Sequence, residues 1–410
     1  MTYSTIFTVL IAILIFSYLL ERTLDWLNLK HILPSLPDEL AGIFDKDEYR
    51  KSQLYKRDNT RFSFLSNTVS LIALLFVFFL GGFGWLSDKL SAITENYIVF
   101  VLLFFGIIAL ISDLLSTPFS IYDTFVIEER YGFNRTNART FIIDKLKGFG
   151  IGIIIGGGLL ALITWIYQLT GQWFWILAWG IITLFTLFMT MFYSNIIVPL
   201  FNKQTPLEEG ELREKIESFA SKVGFKLDNV YVMDGSKRSS KANAYFTGLG
   251  PKKRIVLFDT LINDLSSEEI VAVLAHEIGH YKKKHTSSGL VLSIIQTGIT
   301  LYLFSLFVGV DAFSQALGGE GASFHLGLIA FGILYSPISS LLGIGTNMIS
   351  RRNEYQADRY ARENFEAEEL ISSLKKLTKN NLSNLTPHPA YVFVNYSHPP
   401  LLQRIKALRK

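Results

Sequence analysis

The sequence predicts an all-α bundle of seven membrane-spanning helices that carries a polar α+β unit on one face. Seven apolar stretches are long enough, or nearly so, to cross a hydrocarbon core of roughly 30 Å, which takes about 20 helical residues. The basic residues between those stretches fall on alternate sides with a single exception. The remaining polar residues gather into two large segments that the same alternation puts together. Half of the 410 residues are hydrophobic and mean hydropathy is +0.32, too apolar for an ordinary soluble chain.

The stretches run 3–20, 64–86, 97–120, 148–169, 173–201, 286–310 and 324–349. The first has no basic residue before it and no small-residue cleavage site after it, so it reads as a retained helix and not a signal peptide. The 33 Phe and 18 Tyr suit faces turned to lipid or its interface. Between the first and second spans lie eight basic residues, and between the third and fourth lie five; the second loop has only Lys89. The fourth and sixth loops have none, while the fifth loop and the C-terminal tail carry 14 and 11. Thus 38 of 39 basic residues share one side, which predicts the N-terminus outside and the C-terminus in the cytoplasm. The expected units are residues 1–201 with spans 1–5, a cytoplasmic loop 202–285, spans 6 and 7 within 286–349, and a cytoplasmic tail 350–410.

The chain has no cysteine, which excludes disulfides, zinc–thiolate centres and cysteine nucleophiles. Any metal site must use His and carboxylates. A net charge of +4 is too small to suggest a nucleic-acid partner. In the fifth loop, 208–223 reads as an amphipathic helix and 229–233, 243–249 and 254–259 as short strands. The turn-like Gly250-Pro251-Lys252-Lys253 suggests a hairpin between the last two. Ser266 and Glu269 have the spacing of a capping box, and Ile270, Val273 and Leu274 follow, so a helix starts at Ser266 and carries through His280.

That helix holds His276-Glu277-Ile278-Gly279-His280. Residues i and i+4 share a helix face, so both imidazoles can point at one ion, with Glu277 beside them to act on a water. Lys282-Lys283-Lys284-His285 follows at once and leaves a plain basic surface helix as the rival reading. A tetrahedral catalytic zinc needs a third protein ligand. Directly after the seventh span, Glu354 and Asp358 lie four apart, on one face of a second helix. One carboxylate as ligand and its neighbour as support fit that need, and Asp358 could accept the free N–H of a ligand histidine. Spacing does not decide it, since Arg351, Arg352, Arg359 and Arg362 also fit a neutralised surface helix.

His-Glu-Ile-Gly-His, together with Ser350-Arg351-Arg352-Asn353-Glu354-Tyr355-Gln356-Ala357-Asp358, resembles the Ste24-type CAAX prenyl endopeptidases. Three further stretches are similar: Glu128-Glu129-Arg130-Tyr131-Gly132-Phe133-Asn134, the run from Ser239 to Gly248, and Tyr396-Ser397-His398-Pro399-Pro400 with Arg404. The resemblance covers essentially the whole chain. It implies a zincin-like unit with one zinc per chain on His276, His280 and Glu354, and Glu277 as general base. It makes the strand of Asn243, Ala244 and Tyr245 the edge that pairs with an extended peptide. It places His398 and Arg404 in the site, His398 as a donor to the oxyanion. The implied partners are the lipid bilayer and a peptide or protein substrate, extending to chains prenylated at the C-terminus, with a helical chamber inside the membrane. The implied membrane is the cell membrane in a bacterium and the endoplasmic reticulum in a eukaryote.

Two other readings stay open from the sequence: a quality-control protease that ignores prenyl groups, and a transporter or channel with an incidental metal site. The spans carry few ionisable residues to line an ion path. Asp113 lies within span 3, where an ionisable group is a functional candidate, but it falls near the inner end and reads equally as a snorkelling or helix-end residue. Gly148, Gly152 and Gly156 read as a close helix-packing face. His31, His285, His325 and His388 show no pattern that points to a role.

Overall fold

The computed structural model describes residues 2–33, 45–225, 230–247 and 254–410. The apolar part contains helices α1 (Tyr3–Lys30), α2 (Lys46–Phe79), α3 (Gly82–Ser91), α4 (Tyr97–Tyr122), α5 (Ala138–Ile151), α6 (Gly158–Thr170) and α7 (Phe174–Ile196). Among the described residues six helical runs are long and apolar enough to cross a membrane, where the sequence predicts seven. The fourth run, Ala138–Phe201, holds two of the expected spans. It is broken at Gly171, whose φ of 53° and ψ of −128° suit glycine, and α6 and α7 pack against each other across the break.

Phe104, Phe174 and Phe324 form the buried centre of the apolar part, with Leu10, Val101 and Ala178 around them. At one end Gly84 N–H donates to Leu317 O at 2.9 Å, and a Cβ on Gly84 would meet Gly318 O at 2.3 Å. Asp113 pairs with Lys145 Nζ at 2.9 Å and so joins α4 to α5. The glycine series 148, 152 and 156 is not a packing face. A Cβ at any of the three would meet nothing within 4 Å. The chain instead widens there into a π-helical stretch, Gly152–Gly157.

The polar part is built on strands β1 (Gln204–Pro206), β2 (Val230–Met233), β3 (Ala244–Thr247) and β4 (Arg254–Phe258) in the order β1-β2-β4-β3. β2 and β4 run parallel, and β3 lies antiparallel on β4 with Ala244 opposite Leu257 and Thr247 opposite Arg254. β3 is therefore an edge. The expected hairpin turn at 250–253 lies outside the described residues, as do Asn229 and 248–249. The amphipathic helix is α8 (Glu211–Lys222), which buries Ile216, Phe219 and Ala220 against α9 (Ser267–Lys282).

The chain continues through α10 (His285–Phe307), α11 (Phe324–Asn364), α12 (Ala367–Asn380) and the short α13 (Pro389–Asn395) and α14 (Leu401–Leu408). α11 runs as one helix of 41 residues past residue 349, where the expected seventh span ends, so Glu354 and Asp358 sit on its C-terminal part. Beyond residue 349 the helix becomes polar, with Arg352, Arg359 and Glu363 exposed on one side and Glu354, Ala357, Asp358 and Ala361 buried on the other.

α9 starts as its cap predicts. Ser266 Oγ accepts from Glu269 N at 3.2 Å, and the Glu269 carboxylate accepts from Ser266 N at 2.8 Å. The same carboxylate accepts from Ser372 Oγ at 2.6 Å and Lys376 Nζ at 2.8 Å, tying α9 to α12. Burial raises the Glu269 carboxyl, but Lys376, Ser372 and Ser266 outweigh it and hold it below its ordinary value. A depressed folded-state pKa stabilises above the unfolded value and is lost as pH falls through the folded one. Glu269→Gln should therefore cost about 1–3 kcal/mol at neutral pH, with the gap to the parent closing below about pH 4. Thermal unfolding in detergent across that range measures it; a gap that persists at pH 3 would show that the charge is not the source.

Candidate metal centre

The site forms where α9 crosses α11. Gly279 is the contact point: a Cβ there would stand 3.1 Å from Ala357 Cα, Ala357 O and Tyr360 Cβ. Glycine lets the helices approach this closely without displacing a neighbour. The approach brings His276 Nε2 to 3.4 Å from Glu354 Oε2 and His280 Nε2 to 3.1 Å from Glu354 Oε1. The two Nε2 atoms are 3.1 Å apart, and ligand atoms from all three residues lie within 4.8 Å of one another.

These three residues fit a zinc ion. Glu354 is buried, and its Oε2 has no hydrogen bond, although His398 Nδ1 at 3.0 Å and Arg404 Nη1 at 3.4 Å are within ion-pair reach. A buried carboxylate oxygen left unsatisfied beside two converging imidazoles is costly unless a cation sits among them. Two His and one Glu match the donor set of a catalytic zinc that keeps a position open for water.

Behind the ligands, His276 Nδ1 meets Asp358 Oδ1 at 2.9 Å. Arg404 closes on that carboxylate with two bonds, Nε to Oδ2 at 2.9 Å and Nη2 to Oδ1 at 2.6 Å. Burial alone lowers His276, but its bonds to Asp358 and Glu354 outweigh burial and raise the imidazole to about 9. The negative field that draws a proton to this ring also draws a cation. Arg404 is only 10% exposed, and it also lines a small cavity beside the centre.

Two cavities flank the centre, and Glu277 and His398 line both. The smaller, about 190 Å³, is walled by Asn243, Ala244, Leu261, Val273 and Leu370. The larger, about 600 Å³, reaches Phe246, Leu292 on α10 and Ile349 on α11. His398 is 64% exposed and stands at the rim. The chain before it is held to α11: Asn347 Nδ2 donates to Val394 O at 2.8 Å, and Arg351 donates to Val392 O and Tyr396 O.

Asn243, Ala244 and Phe246 thus reach the cavities, but the Tyr245 side chain does not. Strand alternation turns it the other way, where its hydroxyl accepts from Gln204 Nε2 at 3.3 Å and lies 3.5 Å from Ser194 Oγ on α7. The chain leading into β3 is anchored by residues that spacing did not single out. Lys241 Nζ donates to Glu128 Oε2 at 2.7 Å and Tyr55 OH at 2.8 Å. Ser240 N donates to Phe133 O at 3.1 Å, and Arg135 N donates to Arg238 O at 3.0 Å. The family resemblance covered Glu128, Phe133, Ser240 and Lys241, whereas Tyr55, Arg135 and Arg238 lie outside its stretches. His285 was also missed: its Nδ1 lies 3.0 Å from His280 Nδ1.

Comparison with known proteins gives two family matches that divide the chain. Residues 26–203 match "CAAX prenyl protease N-terminal, five membrane helices", and residues 206–410 match "Peptidase family M48". The CAAX prenyl protease 1 homolog of Arabidopsis thaliana is 37% identical over 407 residues, covering 97% of this chain and 96% of that protein. CAAX prenyl protease 1 of Saccharomyces cerevisiae is 36% identical, covering 96% and 91%. The human homolog is 35% identical, covering 91% and 88%. The crystal structure of S. mikatae Ste24p superposes with a TM-score of 0.92 at 34% identity, covering 98% of each chain. A likeness this complete in length, fold and family motifs places the chain in peptidase family M48, as a multi-pass membrane zinc metallopeptidase.

Proposed function

We propose that this peptidase hydrolyses peptide bonds near the C-terminus of prenylated substrates, on the cytoplasmic face of its membrane. The observation that carries the reading is the convergence of His276, His280 and Glu354 between two cavities that reach a free strand edge. The printed names of the relatives support the substrate class. So does the larger cavity, which opens toward Leu292 and Ile349 where α10 and α11 become apolar, a position suited to a lipid-bearing chain. The smaller cavity, walled by Leu261, Val273, Leu370 and Leu374, suits an aliphatic side chain.

The backbone of residues 243–246 would hold an extended peptide by strand addition, which sets register for any sequence. Zinc on His276, His280 and Glu354 would supply Lewis acidity toward the scissile carbonyl and lower the pKa of a water. Glu277 would take the proton of the attacking water and return it to the leaving amine. His398, at the rim, would donate to the carbonyl oxygen as charge develops there. Asp358, clamped by Arg404, would hold His276 in orientation.

Seven spans are supported by the break at Gly171 and by the alternation of basic residues. The same alternation supports an outside N-terminus and a cytoplasmic C-terminus. The peptidase unit would then combine 202–285 with 350–410, and 1–201 with 286–349 would form the bundle. The membrane would be the cell membrane in a bacterial host and the endoplasmic reticulum in a eukaryotic one.

The central experiment is Glu277→Gln, which keeps shape and removes the base. Hydrolysis of a prenylated peptide should fall by roughly 10²–10⁴-fold while about one zinc per chain stays bound. Near-normal hydrolysis would sink the proposed mechanism. Equal cleavage of prenylated and unprenylated peptides by the parent would shift the role to broader quality control. Gly279→Ala should weaken zinc retention against a chelator by about tenfold or more, as loss of a supporting contact does; unchanged retention would mean that the helix crossing does not set the ligand geometry. A reporter fused after Lys410 should read as cytoplasmic and one inserted near Lys89 as external, and a reversed result at either point would overturn the orientation.

A further inference from the structure

His285 and Gln356 form a line with His280. His285 Nδ1 lies 3.0 Å from His280 Nδ1, and His285 Nε2 lies 3.1 Å from Gln356 Oε1. The rings of His280 and His285 meet edge to face, 5.1 Å between centroids. Three helices supply the three residues: His280 ends α9, His285 opens α10, and Gln356 lies on α11. The bend that allows this is at Lys284, whose φ of 60° breaks the helix between the two histidines.

We infer that His285, backed by Gln356, is a positioning residue that fixes the tautomer of His280 for metal binding. The inference rests on the proposed ligand role of His280. A ligating nitrogen carries no proton. His280 Nε2 is the atom that faces His276 and Glu354. Its proton therefore sits on Nδ1, and that N–H needs an acceptor. The facing atom is His285 Nδ1, so the proton of His285 sits on Nε2 and donates to Gln356 Oε1. The reverse set fails at one point: a protonated His285 Nδ1 would oppose a protonated His280 Nδ1. One arrangement of protons satisfies all three contacts, and the Gln356 carbonyl oxygen selects it.

The two ligand imidazoles are then supported differently. His276 has a carboxylate behind it, Asp358, which Arg404 clamps. His280 has a neutral imidazole. A neutral acceptor fixes direction and tautomer while adding no charge to the centre. Four charged carboxylates around one ion would be the alternative, and His285 avoids adding one to Glu354, Asp358 and Glu277.

The test uses full-length protein in detergent, with zinc loss to a chromophoric chelator as the readout and no substrate present. That choice matters because His285 also lines the larger cavity and can touch a substrate. His285→Ala should lose zinc affinity by about 10–100-fold. His285→Asn, whose Oδ1 takes the place of the accepting Nδ1, should recover most of that loss. Gln356→Leu should fall between them. Cobalt-substituted protein should show a shifted visible band in the alanine variant and a near-parental band in the asparagine variant. Parental zinc affinity in His285→Ala would overturn the relay. So would an asparagine variant as weak as alanine, which would mean that ring packing and not the accepted proton matters. His280→Ala is the reference: zinc retained at parental affinity there would remove His280 from the ligand set and take the relay with it, whereas zinc lost there and kept in His285→Ala would overturn the relay alone.

Discussion

The crossing of α9 and α11 at Gly279 is the constraint on which the site depends. Two imidazoles on one helix and a carboxylate on another reach a common point only if the helix backbones nearly touch. The absent Cβ of Gly279, against Ala357 Cα and O at 3.1 Å, permits that approach. A side chain there would push α11 outward by a few tenths of an ångström. Hydrogen-bond and coordination distances of about 2–3 Å do not tolerate such a shift without loss. The far end of α9 is pinned separately, where Glu269 joins its cap to Ser372 and Lys376 of α12. The helix is thus held at both ends, and its histidines have little freedom to drift.

The continuity of α11 gives the crossing a second consequence. At 1.5 Å per residue, a helix of 41 residues runs about 60 Å, which exceeds the apolar layer by about 30 Å. Glu354 and Asp358 are carried on that extension. The apolar bundle and the polar unit therefore share one continuous helix, and the larger cavity lies beside it at the point where the surroundings change from apolar to polar. His285 at the start of α10 adds a second membrane helix to the same centre. A peptide tethered by a lipid would meet the site without leaving that boundary.

How much of this the sequence disclosed depends on how local each signal was. The cap of α9 and the pair His276 and His280 are local, since i, i+3 and i+4 relations within one helix fix them before any tertiary contact forms. Six helical runs follow from apolar length, and the expected stretches 148–169 and 173–201 both lie within the longest, on either side of Gly171. The glycine series misled because spacing along a helix says nothing about whether a neighbour occupies the face it makes. His285 was invisible for a related reason. Five residues from His280, it would point away on a continuous helix, and only the positive φ of Lys284 turns it back. The anchoring of β3 by Lys241, Glu128 and Tyr55 joins parts of the chain more than a hundred residues apart, which no periodicity encodes.

Spacing left Glu354 and Asp358 interchangeable, and their surroundings are what tell them apart. Asp358 has both oxygens engaged by the Arg404 fork, and one of them also meets His276 Nδ1. Its lone pairs are committed to donors that do not leave, because a buried guanidinium stays charged and its planar fork matches the carboxylate. Glu354 has Oε1 facing His280 and an Oε2 that makes no well-formed hydrogen bond, with His398 at 3.0 Å and His276 and Arg404 at 3.4 Å around it. Of two buried acids four residues apart, the saturated one is suited to orient a ligand and the unsaturated one to be a ligand. Arg404 shapes that difference: its fork occupies Asp358, while it reaches Glu354 Oε2 only through Nη1 at 3.4 Å, so Glu354 keeps the capacity that a zinc ligand needs.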